Sequence, residues 1–207
     1  DLYELTMAQS YFREGMFGPA TFSLFIRAYP PNRSYFVAAG LEDVLTYLEN
    51  WSLSREDIDY LHATDRFSTE LLDYLSDLRF SGEVWAMREG GLFFADEPVV
   101  EVTAPIIEAQ IVETYIINQI NFQSLAATKA ARCVWAARGK ALTDFSLRRA
   151  HGTDAGMKVA RASHIAGFQS TSNVLAGKRY GIPVSGTMAH SFITSFPDEI
   201  DAFRAYA

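Results

Sequence analysis

Three groups of polar residues are the part of this chain best suited to chemistry, and each follows a short apolar run. The runs are "ALTD", "GFQ" and "IPVS", and the groups after them contain arginines, hydroxyls and histidines. Their members are, group by group, Phe145, Arg148, Arg149 and His151; Ser170, Thr171, Ser172 and Asn173; Gly186, Thr187, His190 and Ser191. Arginines, hydroxyls and backbone N–H groups at helix starts suit an anion, either a phosphate or a carboxylate.

The segments around these groups predict how they are positioned. Strands are predicted at "ALTDF", "FQS" and "IPVSG", loops at "SLRRAHGTDAG" and "TMAHS", and helices at "MKVARASHIAG", "SNVLAGKRYG" and the end of the chain. Repeated strand–loop–helix units imply parallel strands joined by right-handed crossovers. Because loops at one end of neighbouring parallel strands converge, we expect the three groups to share one pocket.

Each group also has an interpretation without catalysis. "STSN" is a good helix N-cap, "GTMAHS" suits a turn with a helix start, and the two arginines suit a solvated surface. A single histidine in such a turn is more often structural than catalytic. The residues alone therefore leave the role of His190 open, whereas His62 and His164 lie in helical patterns and are interpreted as structural.

Residues 1–104 show a different pattern, in which helices alternate with short strands. The spacings of Asp1 with Glu4 and of Ser54 with Asp57 predict capped helix starts. Alternating apolar residues in "ATFSLFIRAYP" predict a strand, and three later runs predict an antiparallel sheet. Near residue 105 a long apolar stretch without Gly or Pro begins, which predicts one or two mostly buried helices. The fold class is therefore α/β.

The composition argues against several classes of function. A net charge of -7 disfavours a nucleic-acid partner, and one cysteine with four scattered histidines argues against a structural metal site. No apolar run reaches the roughly 18 residues of a membrane helix, so no membrane partner is expected. The P-loop, dinucleotide-binding, nucleophile-elbow and zinc-hydrolase motifs are absent. An acidic chain without disulfides is expected in the cytoplasm.

Four motifs resemble the nicotinate phosphoribosyltransferase family. They are "DLYELTMAQSYF", "AAGLEDVLTYLEN", "DFSLRRAHGTDAG" and "STSNVLAGKRYGIPVSGTMAHSF", and they stand in the family's order along nearly the whole chain. The chain begins at a helix start without Met and ends within an amphipathic pattern, so we expect the N-terminal half of a longer protein. The resemblance implies an N-terminal mixed α/β domain over residues 1–104. It implies that residues 105–207 form the first part of an irregular type II phosphoribosyltransferase α/β barrel, whose C-terminal part is absent from this sequence.

The resemblance also implies a reaction. Nicotinate would attack C1 of phosphoribosyl pyrophosphate and displace pyrophosphate, giving nicotinate mononucleotide for NAD biosynthesis and salvage. Mg²⁺ would accompany the phosphates, and ATP hydrolysis would be coupled through a phosphohistidine, as in a ligase. The histidine of "GTMAHS" is His190, and Ser191 beside it is assigned to substrate binding.

Other roles follow from the family's motifs, position by position. Tyr3 is expected to stack on the pyridine ring of a neighbouring site in a homodimer, and Phe145 on the opposite ring face. Arg148 is expected to bind phosphate, with Arg149 as a second candidate. Thr187 is expected to contact substrate.

Ser172 is the position that bears on substrate choice. In the related nicotinamide enzymes the matching residue is an aspartate, which accepts a hydrogen bond from the amide. A carboxylate there would repel the carboxylate of nicotinate, whereas a serine can donate to it. The resemblance therefore favours the acid over the amide.

Three alternatives remain at this stage. Quinolinate phosphoribosyltransferase shares the barrel type but lacks the "GTMAHS" motif, and a nicotinamide enzyme would carry the aspartate. The third alternative is a non-catalytic module that keeps only the fold. Residues 193–207 contain neither the further arginine nor the glycine-rich phosphate loop that the family's second half supplies.

Overall fold

The computed structural model describes residues 1–207 as a mixture of helices and short strands. The helices are α1 Leu2–Arg13, α2 Leu41–Asn50, α3 Arg55–Ala63, α4 Thr69–Asp77, α5 Ile106–Ile111, α6 Glu113–Ala137, α7 Thr153–Ile165, α8 Val174–Tyr180, α9 His190–Thr194 and α10 Glu199–Tyr206. The strands are β1 Pro19–Leu24, β2 Phe36–Val37, β3 Glu83–Ala86, β4 Leu92–Phe93, β5 Val100–Pro105, β6 Thr143–Asp144 and β7 Ser170–Thr171. The predicted α/β class is confirmed. None of the helices combines the length and apolar character needed to cross a membrane.

The first half of the chain is built on an antiparallel sheet of order β1–β5–β3. Side chains alternate across β5, so Val100, Val102 and Ala104 are buried while the residues between them are half-exposed. The buried face joins a core that includes Phe36, Phe93 and residues of α2, α4, α5 and α6. The antiparallel pairing predicted from the short apolar runs is confirmed, but β4 pairs with β2 in a separate two-stranded sheet instead of joining β3 and β5.

Local capping fixes the starts of the first helices. Both predicted capping boxes are present, at Asp1 with Glu4 and at Ser54 with Asp57. The Glu4 carboxylate is buried and also accepts the backbone N–H of Thr114 at 2.7 Å. This contact ties the start of α1 to the start of α6.

The apolar stretch after residue 105 forms two helices that meet at Val112. Ser124 and Thr128 of α6 accept the backbone N–H groups of Ala39 and Val37, which holds the helix against β2. The last turns differ from the expectation of burial, because the Trp135 side chain is 86% exposed.

The second half contains three parallel segments. β6 and β7 pair in parallel, and Thr171 forms a parallel bridge to Val184. The predicted strand "IPVSG" contributes only that bridge. The predicted loop "SLRRAHGTDAG" is also partly wrong, since it contains a short 3-10 helix at Leu147–Arg149 and the first turn of α7, which begins after Gly152 at φ 103°.

One partly buried ion-pair network joins α7 to the first half of the chain. Arg161 donates to both carboxylate oxygens of Glu89 at 2.8 and 2.7 Å, and it also pairs with Glu42. Glu89 further accepts the backbone N–H groups of Gly40 and Leu41 at the start of α2. Burial alone would raise the pKa of the Glu89 carboxyl, but Arg161 and the two N–H groups lower it below its usual value.

Candidate active site

An open cleft lies at the carboxyl ends of the three parallel segments. It encloses about 1050 Å³ of empty space, part of it continuous with solvent. Its lining comes from all three predicted groups and consists of Phe145, Leu147, Arg148, Ser172, Gly186, Thr187, Met188, Ala189 and His190. The expectation that the groups converge at one end of the strands therefore holds for these residues.

A tight turn after β6 presents Phe145 and Arg148 to the cleft. The buried carboxylate of Asp144 accepts the backbone N–H of Ser146 at 3.0 Å, which folds the chain back at the end of the strand. The carbonyl of Ser146 then accepts the N–H of Arg149 at 2.7 Å, which closes the 3-10 turn. Phe145, between the two bonded residues, stays 40% exposed.

At the end of β7, one side chain caps α8 and its neighbour lines the cleft. Asn173 is buried, and its side chain accepts the backbone N–H of Ala176 at 3.1 Å to cap α8. Ser172 lines the cleft instead, and its backbone N–H donates to the carbonyl of Asp144 at 2.8 Å. The "STSN" motif therefore contains both a structural N-cap and a cleft residue.

The third wall runs from Gly186 to His190. The backbone of Ser185 is fixed by a 3.0 Å bond from its N–H to the carbonyl of Thr171. His190 is the first residue of α9, and its ring is exposed. The Arg148 guanidinium, on the opposite wall, forms no ion pair within the chain. A cation and an imidazole thus remain available to a ligand.

Three of the residues that the resemblance assigns to the site do not line this cleft. Arg149 turns back and donates to the carbonyl of Phe145 at 3.2 Å. Ser191 is the second residue of α9 and is exposed outside the lining. Tyr3 lies on α1, with its hydroxyl 3.3 Å from the Thr114 hydroxyl.

The Tyr3 hydroxyl keeps its proton at neutral pH. The hydrogen bond with Thr114 would lower the pKa of Tyr3, but partial burial and the charges of Glu113 and Glu4 raise it above its usual value. The phenol therefore remains a hydrogen-bond donor on the surface of α1.

His151, which the sequence grouped with Phe145 and Arg148, lies elsewhere. It lines a separate surface pocket with residues of α6 and α7, including Asp154 and Lys158. His151 stands directly before Gly152, the N-cap of α7, and so lies beside the first turn of that helix. The expectation that this histidine shares the pocket is wrong.

Sequence reasoning also missed several residues of the site. The cleft is also lined by Leu147, Met188 and Ala189. Asp144 does not line it, but its carboxylate holds the turn that carries Phe145. A carboxylate at the end of an apolar run, directly before the aromatic of the first group, is the signal that would have pointed to Asp144.

The cleft itself offers little to a metal ion. None of its nine lining residues is a carboxylate, and the chain contains no group of three His, Cys, Asp or Glu side chains that could hold a metal. Mg²⁺ prefers carboxylate and phosphate oxygens and usually keeps several waters. These nine residues would therefore give a Mg²⁺ ion no carboxylate ligand, and the phosphates of a ligand could supply oxygens instead.

Comparisons with known proteins identify the family of the chain. The nicotinate phosphoribosyltransferase N-terminal domain matches residues 1–121, and the nicotinate phosphoribosyltransferase family domain matches residues 140–203. A nicotinate phosphoribosyltransferase of Mycobacterium tuberculosis is 55% identical over 207 residues, which is 100% of this chain and 45% of that protein. One from Bacillus subtilis is 45% identical over 208 residues, covering 100% of this chain and 42% of that protein.

The solved structures give the same result. The crystal structure of human nicotinic acid phosphoribosyltransferase matches with a TM-score of 0.87 and 38% identity, covering 95% of this chain and 40% of that one. The chain thus spans less than half the length of these relatives. With both domains matched in order and more than half of its positions identical to one relative, the chain belongs to the nicotinate phosphoribosyltransferase family.

Proposed function

We propose that this chain supplies much of the active site of a nicotinate phosphoribosyltransferase. The enzyme would transfer phosphoribose from phosphoribosyl pyrophosphate to nicotinate, forming nicotinate mononucleotide and pyrophosphate for NAD biosynthesis in the cytoplasm. One observation carries the proposal: a single cleft, in a chain of this family, brings together the aromatic Phe145, the cation Arg148, the hydroxyl of Ser172 and the imidazole of His190.

Phe145 and Ser172 are suited to holding nicotinate. An exposed aromatic ring offers a stacking surface to the pyridine, worth about 1 kcal/mol beyond burial. The hydroxyl of Ser172 can donate to the carboxylate, which a carboxylate side chain at this position would repel.

Arg148 and Thr187 are suited to the phosphoribosyl group. The ring nitrogen of nicotinate uses its lone pair to form the N–C1 bond, and the bond from C1 to the pyrophosphate oxygen breaks. Pyrophosphate leaves with the bonding electrons, so negative charge grows on its oxygens. Arg148 stabilises that charge from a fixed turn, and Mg²⁺ bound to the same phosphates would neutralise part of it.

His190 is suited to coupling the reaction to ATP. A neutral imidazole nitrogen attacks the terminal phosphorus of ATP, a P–N bond forms, and the P–O bond to ADP breaks. Water later breaks the P–N bond and releases phosphate. The exposed ring at the cleft wall supports this role.

Tyr3 would act on a second copy of the chain. Because it lies outside the cleft of its own chain, it would reach the cleft of the partner in a homodimer and stack on the free face of nicotinate. Arg149 and Ser191, beside the cleft-lining residues, are placed as further contacts to substrate phosphates.

The test uses the full-length protein with nicotinate, phosphoribosyl pyrophosphate, Mg²⁺ and ATP labelled on the terminal phosphate. We expect nicotinate mononucleotide to form and an acid-labile label to appear on the protein. His190→Ala should abolish the label and reduce product formation to the rate without ATP. His62→Ala, which changes an exposed histidine of α3, is the control and should leave both unchanged. Absence of product from the unmodified protein would overturn the proposed reaction, and a persistent label in His190→Ala would overturn the phosphohistidine.

A further inference from the structure

We infer that the buried pair Asp144 and Thr171 is a positioning pair that sets the separation of Phe145 from Ser172 across the nicotinate slot. The inference rests on the proposed function, since it assigns a purpose to groups that never touch the substrate. Neither side chain lines the cleft, and both are almost fully buried, at 5% and 0% exposure.

A continuous chain of hydrogen bonds joins the two strand ends. The backbone N–H of Asn173 donates to the Thr171 hydroxyl at 3.1 Å, and that hydroxyl donates to one Asp144 oxygen at 2.8 Å. The other Asp144 oxygen accepts the backbone N–H of Ser146 at 3.0 Å. The chain therefore runs from the start of α8 to the turn after β6.

The positions of the bonded groups relative to the cleft suggest their purpose. Phe145 lies between Asp144 and Ser146, and Ser172 lies between Thr171 and Asn173. Each cleft side chain is thus flanked on both sides by a residue of the network. The backbone bond from Ser172 N–H to the Asp144 carbonyl, at 2.8 Å, adds a direct link between the two walls.

The direction of the bonds requires a carboxylate at position 144. The Thr171 hydroxyl has one hydrogen, and because the oxygen already accepts from Asn173, that hydrogen goes to Asp144. Both Asp144 oxygens must therefore accept. An asparagine in its place has one accepting oxygen and one donating nitrogen. One orientation of the amide sets its NH₂ against the Ser146 N–H, and the other leaves the Thr171 hydrogen without its acceptor.

Stability alone does not account for this pair. Asp144 forms no ion pair, and a buried carboxylate without a cation is costly compared with an apolar residue of similar volume. The free-energy cost of burying Asp144 is explained if its carboxylate holds Phe145 and Ser172 at a fixed separation. Shifts of about 1 Å in such walls change rates by up to about a hundredfold.

The experiment uses variants of the full-length enzyme and measures KM for nicotinate, KM for phosphoribosyl pyrophosphate, kcat and Tm. Thr171→Val removes the hydroxyl at constant shape, Asp144→Asn removes one acceptor, and Thr171→Ser restores the hydroxyl. Thr143→Val is the matched control, because the Thr143 hydroxyl bonds Ser170 at 2.8 Å between the same two strands, one residue earlier.

We expect Thr171→Val and Asp144→Asn each to raise KM for nicotinate about tenfold or more. Thr171→Ser should stay within about threefold of the unmodified enzyme, and Thr143→Val should lower Tm without changing KM for nicotinate. Unchanged nicotinate kinetics in a folded Thr171→Val or Asp144→Asn would overturn the inference. An equal rise in Thr143→Val would also overturn it, because general loosening of the strands would then be the cause. The unmodified enzyme in the same assay tests the proposed reaction separately, so the two failures are distinguishable.

Discussion

Ser172 occupies the one position at the end of β7 where a side chain lines the cleft rather than pointing into the protein interior. Its neighbours Thr171 and Asn173 are buried and hydrogen-bonded, while Ser172 lines the cleft. The charge of this side chain can therefore change without disturbing the hydrogen bonds beneath it. Its chemistry should act on substrate choice rather than on folding.

Replacing Ser172 by aspartate should shift the enzyme from nicotinate toward nicotinamide. The new carboxylate repels the nicotinate carboxylate, at an expected loss of about 1.4–2.8 kcal/mol, or roughly tenfold to a hundredfold in kcat/KM. The same carboxylate can accept a hydrogen bond from the nicotinamide amide. The measurement compares kcat/KM for both compounds, with Ser172→Asn as the uncharged control of equal size. Retention of full nicotinate activity by Ser172→Asp would contradict the assigned contact.

At the scale of residues, the sequence predicted the side chains that line the cleft better than the ones that hold them in place. Five residues stood out because polar or aromatic groups directly after apolar runs are unusual. The structure brings all five to one cleft: Phe145, Arg148, Ser172, Thr187 and His190. Asp144 did not stand out, because its role depends on a hydroxyl 27 residues later in the chain. Its place directly before Phe145, at the end of an apolar run, is a local sign of its position in the site but not of that bond.

At the scale of elements, local signals predicted the longer helices and the wider sheet. α1 and α3 begin at the capping boxes that the spacing of their residues predicts, and the strand predicted from alternating apolar residues is β1, which pairs with β5. β6 and β7 have only two residues each, which is too short to show a period. The first turn of α7 contains "TDAG", whose composition is typical of a loop, so its start was predicted too late.

The contact between Glu89 and Arg161 should make stability depend on pH. The pKa of Glu89 is lowered in the folded chain, so its stabilising effect is present at neutral pH. That effect is lost as the pH falls through the folded pKa, below the usual value of 4.5. Glu89→Gln should therefore lower the free energy of unfolding by about 2 kcal/mol at pH 7. The difference from the unmodified protein should shrink in acid.

Denaturant unfolding of the full-length protein at several pH values measures this difference. Glu49→Gln, which changes an exposed glutamate near the end of α2, serves as the control and should have little effect at any pH. A destabilisation by Glu89→Gln that is equally large in acid would show that packing, rather than the ionised carboxylate, is responsible.

At the scale of the whole molecule, the proposed homodimer predicts that Tyr3 of one subunit completes the active site of the other. A mixture of full-length Tyr3→Ala and His190→Ala subunits should be more active than the mean of the two separate variants. Each mixed dimer then contains one site with both residues, and random exchange restores up to about a quarter of the original activity. Product formation in the presence of ATP measures the gain.

The control mixture combines Tyr3→Ala with a subunit that carries both substitutions. It contains no Tyr3, so it should show no gain. If the first mixture behaves like this control after subunit exchange has been verified, Tyr3 does not serve the neighbouring site.

The alternation of buried and ligand-facing residues at the strand ends has a consequence for how such an enzyme can diverge. Asp144, Thr171 and Asn173 carry the hydrogen bonds, whereas Phe145 and Ser172 line the cleft and carry the proposed ligand contacts. A substitution of Ser172 alone should therefore change substrate choice while the hydrogen bonds beneath it stay intact, with no second substitution needed to restore folding. Descendants of such a gene would be expected to vary first at the ligand-facing positions and last at the hydrogen-bonded ones.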